Sequence, residues 1–189
     1  PKLRYPLFGN DGADTFDNLD LRTFQNYSWS FQGDGRGVFI RDQFNRDSQL
    51  EMGQQGERGN YYHLFINGQY WGLYNTCERP EASFGETYFG GQKENFDVIK
   101  VEAGPYAINP TDGTQVAWNE LYNACRAGVT TDAAYLKLQG LNPDGTPNPS
   151  YRNLLDVDNL IDYMLVIYFG GNLDAPISNF LQNTSPNNF

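Results

Sequence analysis

Tyr61-Tyr62-His63-Leu64-Phe65-Ile66-Asn67-Gly68-Gln69-Tyr70-Trp71-Gly72-Leu73-Tyr74-Asn75 consists of two aromatic and aliphatic runs separated by Asn67-Gly68. Asn and Gly both tolerate positive φ, so this pair closes a two-residue type I′ turn. The flanking runs carry the aromatic and β-branched side chains that a pleated sheet favours. The segment therefore predicts an antiparallel hairpin with strands at 61–66 and 69–75. Alternation places His63 on one strand face with Tyr61 and Phe65. No Ser/Asp pattern surrounds it, and a packed or half-exposed strand histidine is the reading preferred to a catalytic one.

Outward from the hairpin, the first half of the chain is strand-rich and the second half helical. Residues 41–54 predict a moderately polar helix ended by Gly53 and Gly56, 81–88 a short helix, and 96–101 a further strand. Ala103-Gly104-Pro105 reads as a linker. Beyond it, Trp118, Leu121, Tyr122 and Cys125 share one face of a helix over 115–127, and 132–139 adds another. Asn142-Pro143-Asp144-Gly145-Thr146-Pro147-Asn148-Pro149 is a turn-dense connector. The expected architecture is α+β, with a β-rich region at 1–102 and a helical region at 103–189.

The helical half ends on a pattern with chemical content. Asp156 caps a helix over 157–169, where Val157, Leu160, Ile161, Met164, Leu165 and Tyr168 recur at helical spacing before Gly170-Gly171 stops it. A helix this apolar is expected to be buried. It delivers the loop Asn172-Leu173-Asp174-Ala175-Pro176-Ile177-Ser178-Asn179, in which an Asp precedes an Asn by five positions. Phosphoryl transfer needs an Asp to orient the attacking hydroxyl and an Asn to hold Mg²⁺, both on one rigid loop. Asp, Pro, Ser and Asn are also ordinary turn residues, so the spacing alone admits a purely structural loop.

Composition narrows the partners. The chain has 189 residues with 13 basic against 23 acidic side chains, a formal net charge of -10. Such a surface repels phosphate backbones and anionic membranes, which argues against nucleic acid and lipid and favours a basic protein substrate. The longest apolar or aromatic run, 163–169, is too short to span a bilayer. With a single His, a zinc site of the usual Cys/His type is excluded. Cys77 and Cys125 are compatible with a disulfide or with two thiols.

Several segments in order resemble one family. They are Leu3-Arg4-Tyr5-Pro6-Leu7-Phe8, Leu21-Arg22, Arg41-Asp42-Gln43, the hairpin block Leu64 to Tyr74 with Glu78-Arg79-Pro80, Phe89-Gly90-Gly91, Phe96-Asp97-Val98-Ile99-Lys100, and the last helix with its loop. Together they resemble the CotH kinase family, atypical protein kinases named after the bacterial spore coat protein H. The resemblance implies a two-lobed kinase-like fold, with ATP and Mg²⁺ as cofactors and Ser or Thr of a coat or extracytoplasmic protein as acceptor. It implies that Asp174 is the catalytic-loop aspartate and Asn179 the magnesium ligand. It further implies that Lys100 and Arg41 are phosphate-binding candidates, and that Glu78 pairs with one of these cations as in a kinase Lys–Glu pair. A plain structural ion pair is the alternative for Glu78, an edge-strand lysine for Lys100, and a loop cap for Asp174. CotH-type kinases share a further acidic motif beyond the catalytic loop, Trp-Asp followed by another acidic residue. None follows here, so the resemblance implies a catalytically incomplete piece of a longer parent.

Other motifs carry less. Gly33-Asp34-Gly35-Arg36-Gly37 lacks the lysine and spacing of a P-loop and reads as a glycine turn. Asp11, Asp14, Asp17 and Asp20 recur every third residue, whereas EF-hand ligands alternate and end in a bidentate Glu. Asn26-Tyr27-Ser28 and Asn183-Thr184-Ser185 are glycosylation sequons. The wealth of aromatics, with 13 Tyr and 13 Phe, leaves open a second class of function, a non-catalytic structural, adhesive or carbohydrate-contacting module.

Overall fold

The computed structural model describes residues 2–23, 38–102, 104, 106–172, 175–176, 182 and 184–186. Gly33-Asp34-Gly35-Arg36-Gly37, the two sequon asparagines, Asp174 and Asn179, each singled out in the sequence, lie outside these residues. The chain divides into two compact units, Pro1–Phe96 and Asp97–Phe189.

In the first unit, β1 (Leu3–Arg4) pairs with β2 (Thr15–Phe16), and β3 (Leu19–Arg22) opens a second sheet. Helix α1 (Arg41–Glu51) follows, then β4 (Gly59–Ile66) and β5 (Gln69–Glu78). The order β3-β5-β4 is antiparallel throughout, so β5 is the central strand. The hairpin forms as its turn chemistry requires, with Asn67 at φ 51° and Gly68 at φ 79°. A bulge sits beyond the turn: Phe65 pairs with Tyr70 and Leu64 with Gly72, leaving Trp71 as the extra residue. Helix α2 (Ala82–Phe89) and a 3₁₀ turn (Lys93–Asn95) close the unit.

The mixed helix and sheet content is α+β as expected. Helix α1 meets the sheet through polar side chains. Ile40 ahead of it, and Phe44 and Met52, stay exposed, while Gln43 and Arg46 reach polar groups of the sheet. Helix α2 packs through a glycine. A Cβ built on buried Gly85 comes within 2.7 Å of the Phe96 ring. Gly→Ala in an open helix gains about 1 kcal/mol. Here overpacking reverses the sign, and Gly85→Ala should lose about 1–2 kcal/mol in chemical denaturation. A stabilised variant would show that Phe96 swings aside freely.

The second unit opens on a hairpin, β6 (Val98–Glu102) and β7 (Ala107–Asp112). Ala103-Gly104-Pro105, read from sequence as a linker, falls in the connection between these two paired strands. Strand β7 is not recognisable in the sequence because Asn109 and Pro110 are poor strand formers; its short two-stranded pairing and a bulge at Val98/Ile99 accommodate them. Helices α3 (Val116–Ala127), α4 (Asp132–Leu138) and α5 (Val157–Gly170) follow. On α3, Trp118 and Leu121 are half-buried but Tyr122 and Cys125 are exposed, so the expected four-residue face is only partly covered. Thr131 caps α4 by accepting from the Ala134 N–H at 3.2 Å.

Helix α5 has the expected ends. Asp156 accepts from the Asn159 N–H at 3.0 Å, and Gly171 terminates the helix in the left-handed region at φ 59°. The expectation that it is buried is corrected. Only Ile167 is buried, while Tyr168 and Phe169 are 73% and 83% exposed. Its apolar residues run nearly all round the helix, and the described residues cover only one side.

Candidate functional site

Strand β5 ends in Asn75-Thr76-Cys77-Glu78, four consecutive residues at 5% exposure or less. A buried polar group is costly unless it is hydrogen-bonded, so each must find partners, and alternation sends them to two faces of the sheet. Helix α1 serves Asn75. Its Gln43 carbonyl oxygen accepts from the Asn75 amide at 3.1 Å, and the Arg46 guanidinium donates to Asn75 Oδ1 at 3.1 Å. Arg46 Nε also donates to Glu57 Oε2 at 2.6 Å, and Asp42 lies 4.0 Å from its other end while pairing with Arg22 at 2.8 Å. Burial pushes the Glu57 carboxyl up even with Arg46 beside it. Burial also opposes the Arg46 charge, but Glu57, Cys77 and Asp42 together outweigh it and hold the guanidinium above its ordinary range.

The other face belongs to Glu78, 3% exposed. Its Oε2 accepts from the Arg58 N–H at 2.9 Å and stands 3.6 Å from the Arg58 guanidinium; its Oε1 accepts from the Tyr88 hydroxyl. Arg58 lies 4.1 Å over the centre of the Tyr88 ring, and the Tyr88 oxygen accepts from the Ala13 N–H at 2.9 Å. Burial, with the hydrogen bond to Glu78, pushes the Tyr88 hydroxyl up to about 12. Every oxygen of this carboxylate is engaged. Such a network can hold the strand end, α2 and the N-terminal segment in fixed register.

The sequence-derived site residues separate accordingly. Glu78 pairs with Arg58, as in the plain structural ion pair that the sequence also allowed. Arg41 is exposed at the start of α1 in the first unit. Lys100 is in the second unit, exposed on β6, with Glu102 at 3.7 Å. Asp174 and Asn179 lie outside the described residues. The recurrent aspartates are dispersed: Asp17 pairs with Lys2 at 3.1 Å and Asp20 with Arg79 at 3.4 Å, and Asp14 accepts from the Thr15 hydroxyl. Among the described residues no group of three or more His, Cys, Asp or Glu side chains is placed to hold a metal ion. His63 is exposed, its Nδ1 3.0 Å from the Tyr70 hydroxyl.

Arg46, Glu57, Arg58, Asn75 and Tyr88 carry no site role in the sequence. The available signal was the polar run Asn75-Thr76-Cys77-Glu78 at the end of an aromatic strand, which a solvated edge would not need. Both cysteines are free thiols, Cys77 buried and Cys125 exposed. Burial pushes the Cys77 thiol up to about 11. Native protein should therefore react with a thiol reagent rapidly at Cys125 and slowly at Cys77, and denaturant should equalise them. Cys77 and Tyr88 keep their protons in the folded state where the unfolded chain releases them. Their stabilisation is complete below pH 9 and lost as pH rises from 9 to about 11 for Cys77 and from 10 to about 12 for Tyr88. A melting temperature unchanged between pH 8.5 and about 11 would contradict this coupling.

The first unit is thus an α+β unit whose central strand is pinned by two buried charge networks. The family model described as CotH kinase protein matches residues 30–185, and the chain belongs to the CotH kinase family. No curated protein and no solved structure matches the chain. No helix among the described residues is long and apolar enough to cross a membrane.

Proposed function

We propose that this protein acts in ATP- and Mg²⁺-dependent phosphoryl transfer to Ser or Thr of a coat or extracytoplasmic protein, on a kinase-like fold. The family match carries the reading, since it extends across the loop that holds Asp174 and Asn179. Bound nucleotide and magnesium supply the transferable phosphoryl group and neutralise its charge. Asp174 orients the acceptor hydroxyl and accepts its proton, Asn179 offers an amide oxygen to the metal, and Lys100 and Arg41 are the cationic phosphate contacts. The buried Glu78–Arg58–Tyr88 cluster keeps the sheet rigid. With a net charge of -10 the surface suits a basic, Ser-rich acceptor.

Calorimetry on the full-length protein tests this. ATP should bind with Mg²⁺ present, and Lys100→Ala should weaken it about tenfold, the scale of one charge-assisted contact. Absence of nucleotide binding would overturn the proposal. The hairpin tip favours a second reading, the adhesive or carbohydrate-contacting module: Phe65 and Tyr70 are in contact with ring centres 5.2 Å apart and planes tilted by 50°, and both they and Trp71 are exposed. Binding of a glycan or coat protein without any phosphoryl transfer would select it.

A further inference from the structure

Helices α3 and α4 both contribute small side chains to one groove of the second unit. Ala124 and Ala127 on α3 and Ala134 on α4 line a groove of about 620 Å³, with Leu138 and Leu154 adding apolar surface. Alanine side chains end at Cβ, so these three lining positions leave the groove open where longer side chains would fill it. The volume lies within the roughly 300–1,000 Å³ typical of small-molecule sites, which are mostly apolar with a few convergent polar groups.

The polar groups here have a definite sign. Lys137 and Arg152 are the cations lining the groove and Glu120 is the anion. Arg152 is committed to Glu120 at 2.9 Å. Lys137 makes no ion pair among the described residues; its ammonium stands 5.2 Å from the centre of the Tyr151 ring. In a chain of net charge -10, this groove therefore has a local positive surplus beside an aromatic face. Lysine is a compact point charge that suits a carboxylate without demanding the bidentate geometry of arginine.

We propose that this groove binds a small amphipathic carboxylate, an aromatic or short aliphatic acid with its apolar body on the alanine floor and its anionic group at Lys137. The site lies wholly within the second unit and is independent of the phosphoryl-transfer reading.

The test is an amide-resolved NMR titration of the whole protein with 3-phenylpropionate, beside its neutral analogue 3-phenylpropanamide. The acid should shift the amides of Ala124, Ala134 and Leu138 saturably, with a Kd of about 1 mM. It should bind about three- to fivefold more tightly than the amide, the worth of one exposed charge contact. Lys137→Gln, a surface change, should remove that preference and leave binding of the neutral analogue unaltered. Ala134→Trp should abolish binding of both; should it perturb the fold, Lys137→Gln alone still decides. No saturable shift in the groove up to about 10 mM, equal affinity for acid and amide, or an unchanged preference in Lys137→Gln would each overturn the proposal.

Discussion

Glu78→Ala should destabilise the protein by about 3–5 kcal/mol, because removing one partner of a buried ion pair leaves the other charge uncompensated. The charge left behind is Arg58, held under the Tyr88 ring, and the Tyr88 hydroxyl loses its acceptor at the same time. Glu78→Gln keeps the shape and can still accept from Tyr88, so its cost should be smaller, about 1–3 kcal/mol. Glu120→Ala provides the contrast. The Arg152–Glu120 pair is closer, at 2.9 Å, than the 3.6 Å between Arg58 and Glu78, yet its side chains are 55% and 47% exposed. Solvent screening should hold its loss below about 1 kcal/mol. Burial, not distance, decides which pair matters. Urea denaturation followed by far-UV circular dichroism measures all three, and equal costs for Glu78→Ala and Glu120→Ala would refute the role given to the buried cluster.

Asp174→Asn in the full-length protein should lower phosphoryl transfer by about 10²-fold or more while leaving stability nearly unchanged, the range expected for losing a general base. The substitution discriminates because Asn caps a turn about as well as Asp but cannot take up the acceptor proton. A structural loop residue would give the reverse, full transfer with at most a small loss in melting temperature. Transfer of radiolabelled phosphate to a basic, Ser-rich peptide, measured beside nucleotide affinity, separates these outcomes. Wild-type transfer in Asp174→Asn would remove the catalytic assignment and leave the adhesive module as the better reading. Unchanged ATP affinity with lost transfer would locate the defect in the acceptor step.

Local chemistry made much of the fold legible. Asn67-Gly68 specified the hairpin because only residues tolerant of positive φ close that turn, and Asp156 and Gly171 marked the ends of α5 because they satisfy its free N–H and C=O groups. These are interactions between residues a few positions apart, so a sequence displays both partners together. The family was legible for a related reason, since its segments are contiguous blocks. Strand β7 was not legible, since its pairing with β6 overrides what Asn109 and Pro110 prefer. Nor was the exposed side of α5, because an apolar period predicts a surface to be covered without saying whether the chain supplies the cover.

The buried networks show the same division. By itself the sequence determined that the chain would form an aromatic hairpin, a capped last helix and an acidic surface. It could not determine that Glu78 would meet Arg58 and Tyr88, or that Arg46 would bridge Glu57 and Asn75. Those partners lie 10 to 29 residues apart, and all but Tyr88 are residue types that ordinarily stay in water. Only when β5 takes the centre of the sheet, with α1 supplying Gln43 and Arg46 to Asn75 and α2 supplying Tyr88 to Glu78, do their charges leave solvent. A carboxylate that loses its water must then accept from whatever donors the tertiary structure brings within reach.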